Sequence, residues 1–179
     1  MKLLMLVADG VEEVEALAAR DTFMRAGIEV TMMGIDNRDS IISSHQLEIK
    51  VTPLFNSFDE FDALYIPGGK RGVQNLANFI LLDEVIKHFV ERQKLVVAIC
   101  AAPSLLIKLG YLSDRKYTCY PGWQKEGDTN YTSNTVELSG NIITGRSMYF
   151  TNDLAIAVIQ HLLGQEEALR IANQIKGIK

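Results

Sequence analysis

Cysteine, histidine and tryptophan are scarce in this 179-residue chain, which carries two, three and one of them. The two cysteines, Cys100 and Cys119, are too few and too far apart for a CxxC redox pair or a zinc site. In a reducing compartment both are expected to be free thiols. No apolar stretch reaches the roughly 20 residues needed to span a bilayer. Basic residues are in deficit, 18 Lys and Arg against 22 Asp and Glu for a net charge of −4. That balance offers no cationic footprint for nucleic acid or an anionic membrane. The apolar run after Met1 and Lys2 stops at Asp9, and acidic residues follow where a signal peptide needs a small-residue cleavage site. A core strand explains the run better, so a cytoplasmic setting is expected and the sequon at Asn130 carries little meaning.

What is present fits an ordinary globular α/β protein. Apolar residues make up 47% and charged residues 22%, near globular averages, and no linker or repeat divides the chain. One domain over residues 1–179 is expected. Lys2–Ala8, Ile28–Ile35, Ala63–Ile66 and Leu95–Ile99 are apolar runs of the kind that form strands buried on both faces. Ile41–Thr52 alternates enough for one or two edge strands, and Tyr117–Tyr120 and Asn141–Thr144 are shorter candidates. Helical patterns cover about Glu12–Ala26, Phe79–Gln93, the stretch after Cys100 through Leu109, Asn152–Leu163 and Glu166–Ile175. In the first of these Val14, Leu17, Phe23 and Met24 can share a face. Strands alternating with helices predict a mainly parallel sheet with helices on both faces. Its ligand site belongs at the carboxyl ends of the strands, where the loops Asp9–Glu15, Pro67–Gly72 and Cys100–Pro103 should converge.

Cys100 directly follows one core strand and precedes Ala101-Ala102-Pro103. A sharp strand-to-helix turn there would raise the thiol at the sheet edge, as in a nucleophile elbow, with a helix terminus behind it to favour the thiolate. The competing reading is a buried structural cysteine. Gly68-Gly69 can offer backbone amides, with that of Ala101, as an oxyanion hole, or can serve only to reverse the chain. Their spacing fits neither a dinucleotide-binding loop nor a P-loop, so no nucleotide cofactor is expected. Glu12, Glu13 and Glu15 complement the dipole of the first helix. One of the three, if buried, would stay protonated and could hydrogen-bond the sulfur. His45, His88 and His161 all lie outside the three loops, so a cysteine hydrolase would lack its usual base. Tyr120 and Cys119 belong to a late loop able to approach Cys100.

Four stretches, taken together, resemble the ThiJ/PfpI superfamily and, within it, the DJ-one branch. They are Asp9-Gly10-Val11-Glu12-Glu13-Val14-Glu15, Arg25-Ala26-Gly27, Ile66-Pro67-Gly68-Gly69 and Ala98-Ile99-Cys100-Ala101-Ala102-Pro103. The resemblance runs over nearly the whole chain. It implies a flavodoxin-like three-layer α/β sandwich, usually a homodimer, with no cofactor and no metal. It implies Cys100 as an oxidation-prone nucleophile, Glu15 as its protonated carboxyl partner, and Gly68, Gly69 and Ala101 as the amides around the sulfur. The activities it implies are glyoxalase or deglycase action on small reactive carbonyls or their adducts, redox-dependent chaperoning and, in other branches, proteolysis.

Three departures narrow these expectations. Ala101 stands where protease- and chaperone-like branches carry a histidine, which argues against a Cys-His-acid protease. Thr118-Cys119-Tyr120-Pro121 puts Tyr120 where the DJ-one branch has a histidine near the cysteine. Ser147-Met148-Tyr149-Phe150 replaces a glycine-proline-glycine segment after Arg146, which implies a bulkier, more aromatic pocket wall near Tyr120, Cys119 and Arg146. The leading expectation is attack of the Cys100 thiolate on a reactive carbonyl with Glu15 as proton shuttle. The alternatives are a redox sensor or chaperone whose Cys100 is oxidised to sulfinic acid without turnover, and a binding protein that keeps the fold without the chemistry.

Overall fold

Along β1 (Lys2–Val7), Leu3, Met5 and Val7 turn to one side of the sheet and Leu4 and Leu6 to the other, all fully buried. A strand covered on both faces has no polar side, which is why its sequence is a run and not an alternation. The computed structural model describes residues 1–54 and 57–178. Its main sheet has six strands: β1, β2 (Glu29–Gly34), β5 (Ala63–Ile66), β6 (Leu95–Ile99), β7 (Val136–Ser139) and β8 (Ile142–Gly145). Their order is β2-β1-β5-β6-β8-β7, parallel throughout except for the antiparallel β7–β8 edge. The five parallel strands follow the flavodoxin-like 2-1-3-4-5 order, as expected.

Helices α1 (Glu13–Arg25), α5 (Thr151–Leu163) and α6 (Gln165–Lys176) cover one face, and α2 (Lys70–Ala77), α3 (Leu82–Glu91) and α4 (Pro103–Lys108) the other. The three layers expected from the alternating pattern are therefore present. The face of α1 differs from the expected one. Glu15, Ala16, Ala19, Thr22 and Phe23 are buried, while Val14 and Met24 stand largely exposed. The alanines let the helix lie close to the sheet and to α5, so small residues rather than large ones mark the contact. Glu15 shares that inward stripe because it precedes Ala19 by one turn.

Other differences are local. Most of Ile41–Thr52 lies off the main sheet, which it meets at Thr52 through a single bridge to Met33 of β2; β3 (Ser40–Ile42) and β4 (Glu48–Lys50) pair with each other as a separate hairpin. Tyr117–Tyr120 forms only an isolated bridge, Tyr117 to Tyr131. The edge strand β7 lies in a region read as polar, although Val136 and Leu138 alternate with Glu137 and Ser139. Helix α2 begins inside the expected glycine loop. Helix α4 is six residues long, shorter than expected, with Pro103 removing one of its first N–H groups.

Candidate functional site

The end of β6 carries the most constrained backbone of the site. Cys100 has φ +62°, in the left-handed region that costs a non-glycine residue about 1–3 kcal/mol. Its neighbours enforce the conformation. The Cys100 N–H donates to Gly145 O of β8 at 2.9 Å, its carbonyl accepts from the Tyr120 N–H at 2.8 Å, and the Ala102 N–H donates to Ile99 O at 2.9 Å. The chain therefore turns within one residue, leaving the thiol half-buried at the carboxyl edge of the sheet.

The expected convergence of three loops is met. The Glu12 N–H donates to Gly68 O at 3.1 Å and the Gly72 N–H to Gly10 O at 3.0 Å. From α1, fully buried Glu15 projects under the cysteine. Its Oε2 accepts the Gly68 N–H at 2.7 Å, and its own carbonyl accepts the Tyr65 hydroxyl at 2.9 Å. The Tyr65 ring in turn stands edge-on to Phe23 of α1, with centroids 5.6 Å apart. Glu15 Oε1 is buried with no hydrogen-bond partner of ordinary geometry among the described residues. Burial pushes the Glu15 carboxyl up to about 7, against the lowering pull of Cys100 and the Gly68 amide.

The thiol is displaced in the same direction. Burial and the negative charge of Glu15 raise Cys100 well above an ordinary cysteine, and the Ala101 N–H pulls the other way. The expected thiolate favoured by a helix terminus is corrected here, since α4 is short and burial outweighs it. Two anions cannot share this space, so once one of the pair has ionised the other holds its proton more tightly. A thiolate at Cys100 therefore means a protonated Glu15.

Gly68 is required by close approach: a Cβ at this position would lie 2.7 Å from Glu15 Oε2 and 3.0 Å from Cys100 Cβ. Its N–H, however, is already given to Glu15, which removes it from the set of amides expected around a reacting oxygen. Gly69, at φ +92°, and Ala101 both line the cavity above Cys100. Cys119 does not reach this cavity. It is fully buried in the core on the α2–α4 side of the sheet, because alternation along Thr118-Cys119-Tyr120 sends neighbouring side chains to opposite sides. Arg146 is also turned away, its Nη1 donating to Ser133 O at 2.8 Å. Tyr120 does line the cavity.

That cavity has a volume of about 490 Å³, and its walls include Glu12, Met148 and Tyr149 together with two residues that sequence reasoning had not singled out, Lys70 and Trp123. Met148 and Tyr149 bear out the expectation of a bulkier wall. The usable signal for Trp123 was its place three residues after Tyr120. No histidine enters the cavity. His88 packs edge-on against Phe58 and Phe89, and His161 is exposed. His45 Nδ1 lies 2.7 Å from Glu13 Oε1, beside Ser44. Glu12, Glu13 and His45 hold the one group of potential metal donors found among the described residues, within 4.8 Å of one another. Its own backbone N–H, followed by Ser44 and His45, keeps the Glu13 carboxyl ionised, down at about 2, despite partial burial.

Comparison with known proteins agrees with this arrangement. The model of the DJ-1/PfpI family matches residues 1–161. Protein dj-1beta of Drosophila melanogaster is 32% identical over 174 residues, covering 94% of this chain and 93% of the relative. The Parkinson disease protein 7 homolog of Danio rerio is 31% identical over 179 residues, covering 95% of this chain and 94% of its own length. Among solved structures, oxidized DJ-1 of Toxoplasma gondii superposes with a TM-score of 0.91 at 29% identity, covering 97% of each chain. A family match that holds from the first strand to α5, with relatives of that family above 30% identity over nearly the whole chain, places this chain in the DJ-1/PfpI family.

Proposed function

We propose that the protein is a cofactor-independent, cysteine-centred carbonyl-stress enzyme, acting as a glyoxalase or deglycase on small reactive carbonyls or their adducts. The observation that carries this reading is the strained Cys100 set over a buried Glu15 whose carboxyl is raised by burial and coupled to the thiol. An α-oxoaldehyde entering the cavity meets the sulfur first. As the C–S bond forms at the aldehyde carbon, the thiol proton passes to Glu15 and from there to the new alkoxide, giving a hemithioacetal. Glu15, again a carboxylate, takes the hydrogen of that carbon as a proton and returns it to the neighbouring carbonyl carbon. The hydroxyl proton of the first carbon passes to the neighbouring oxygen, so the first carbon becomes a carbonyl and the second an alcohol. One carbon is thereby oxidised and the other reduced, and the product is a thioester of an α-hydroxy acid. Water cleaves the thioester and restores the thiol. The Gly69 and Ala101 amides border the developing oxyanion. In this reading the protein works in the cytoplasm as a homodimer of one-domain chains.

The test is to incubate purified protein with methylglyoxal and follow lactate. Turnover by the wild type with at least a hundredfold loss in Cys100→Ser supports the reading, and equal rates in both overturn it. A second reading, oxidation of Cys100 to sulfinic acid as a redox signal, draws on two observations. The cavity contains no histidine base, and oxidation needs none; the protonated Glu15 is placed to hydrogen-bond an oxidised sulfur. The Toxoplasma gondii relative was solved in an oxidised form. Intact-mass spectrometry after dilute peroxide decides it: two oxygens on Cys100 without turnover favour this reading, and oxygen on Cys119 first rules it out.

A further inference from the structure

The walls of the Cys100 cavity are far more apolar than a methyl-bearing substrate needs. At its floor lie Cys100, Glu15 and the amides of Gly69 and Ala101; above them stand Tyr120, Trp123, Met148 and Tyr149. Tyr120, Met148 and Tyr149 are 48%, 45% and 84% exposed. Large apolar side chains left uncovered together around a reactive group mark a place where apolar ligand surface is buried. The volume of about 490 Å³ lies inside the range of about 300–1,000 Å³ typical of sites that enclose a multi-ring ligand. A two- or three-carbon aldehyde would occupy a small part of it and leave the aromatic walls wet. The electrostatics select further, because the Glu12 carboxylate lines the wall while Lys70 is the single cation there. With the carboxyl groups of Glu12 and Glu15 set against one ammonium, the wall carries no excess of positive charge that would favour an anionic substituent over a neutral one.

We infer that the preferred substrates are α-oxoaldehydes bearing a neutral aromatic substituent, with the ring held among Tyr120, Trp123 and Tyr149 and the aldehyde carbon over Cys100. This inference rests on the carbonyl chemistry proposed above. Aromatic rings prefer offset or edge-on contacts with one another, and three such side chains around one cavity supply them from several directions. Tyr149 already stands edge-on to Phe150, centroids 5.1 Å apart, so the wall on that side is two rings deep. The chemistry remains that of the smaller aldehyde: phenylglyoxal plus water gives mandelate, one carbon oxidised and its neighbour reduced.

Two measurements test it separately from the parent reading. Trp123 is the only tryptophan in the chain, so intrinsic fluorescence reports on the cavity directly. In Cys100→Ser, where no covalent step can follow, acetophenone should quench that signal saturably at concentrations at least tenfold below those needed for acetone. In the wild type, kcat/KM for phenylglyoxal should exceed that for methylglyoxal by roughly tenfold or more, the scale on which an apolar pocket separates substrates. Tyr120→Ala and Tyr149→Ala should each bring that ratio down toward one. Turnover of methylglyoxal with no aryl preference overturns the inference and leaves the parent reading standing. Saturable acetophenone binding with no turnover of either aldehyde overturns the parent reading. A ratio that survives loss of both tyrosines shows that these walls do not set it, and the inference fails.

Discussion

Glu15 and Cys100 are coupled in their protonation, and titration can tell their parts in the chemistry apart. Glu15 releases its proton near pH 7 because burial disfavours its charge. Cys100 then faces a carboxylate that can take its proton, so its reactivity depends on Glu15 and not on its own pKa alone. Alkylation of Cys100 by iodoacetamide, mapped by mass spectrometry, should rise through about pH 7 in the wild type. In Glu15→Gln the amide can accept no proton, and the thiol must ionise unaided in a buried site. The midpoint is expected to move upward by more than about one unit. An unchanged profile would remove Glu15 from the proton exchange. Cys100 was legible in the chain because it sits at a strand-to-helix junction with a residue type suited to it, whereas Glu15 was singled out only by the family resemblance. Which of Glu12, Glu13 and Glu15 turns inward was not legible from the residues, since all three satisfy the helix dipole equally and only the packing of α1 separates them.

At the scale of elements, the site depends on how the segment after α4 is held against the sheet. Residues 117–120 form no strand, yet they deliver Tyr120 to the cavity. The Thr118 N–H is fully buried and donates to Thr144 Oγ1 of β8 at 2.9 Å. Thr144→Val keeps the shape and deletes the acceptor, which leaves a buried donor unpaired at a cost of about 1–3 kcal/mol. Urea unfolding should show that loss, and Thr144→Ser should recover most of it by restoring the hydroxyl. Equal stability of all three proteins would mean that water or a shifted backbone satisfies Thr118. Parallel core strands such as Ala63–Ile66 and Leu95–Ile99 were read to the residue because burial on both faces leaves them no polar position. The hairpin of β3 and β4 was mistaken for a sheet edge because alternation reports a half-buried strand without naming its partner. Helix α2 was hidden by Gly68, Gly69 and Gly72, whose presence answers to close approach rather than to helix propensity.

For the molecule as a whole, keeping Glu15 buried opposes stability at neutral pH. Its carboxyl is raised from 4.5 to about 7 on folding, so its contribution is fully present below about pH 4.5. It is lost as pH rises through 7, because the unfolded chain ionises there more easily. The full shift is worth roughly 3 kcal/mol at most. Glu15→Gln, which cannot ionise, should therefore match the wild type near pH 4.5 and exceed it by up to about 3 kcal/mol at pH 8, by urea unfolding at the two values. A variant less stable at pH 8 would contradict the raised carboxyl. The sequence by itself determined the layered architecture, the parallel strands and the junctions where chemistry belongs, because burial and backbone geometry act locally and leave periodic marks. The tertiary structure alone decided that the Gly68 amide is occupied by Glu15, that Cys119 and Arg146 turn away, and that Trp123 lines the cavity. Those outcomes depend on which side chains from distant segments meet at one sheet edge, and no local pattern encodes a meeting.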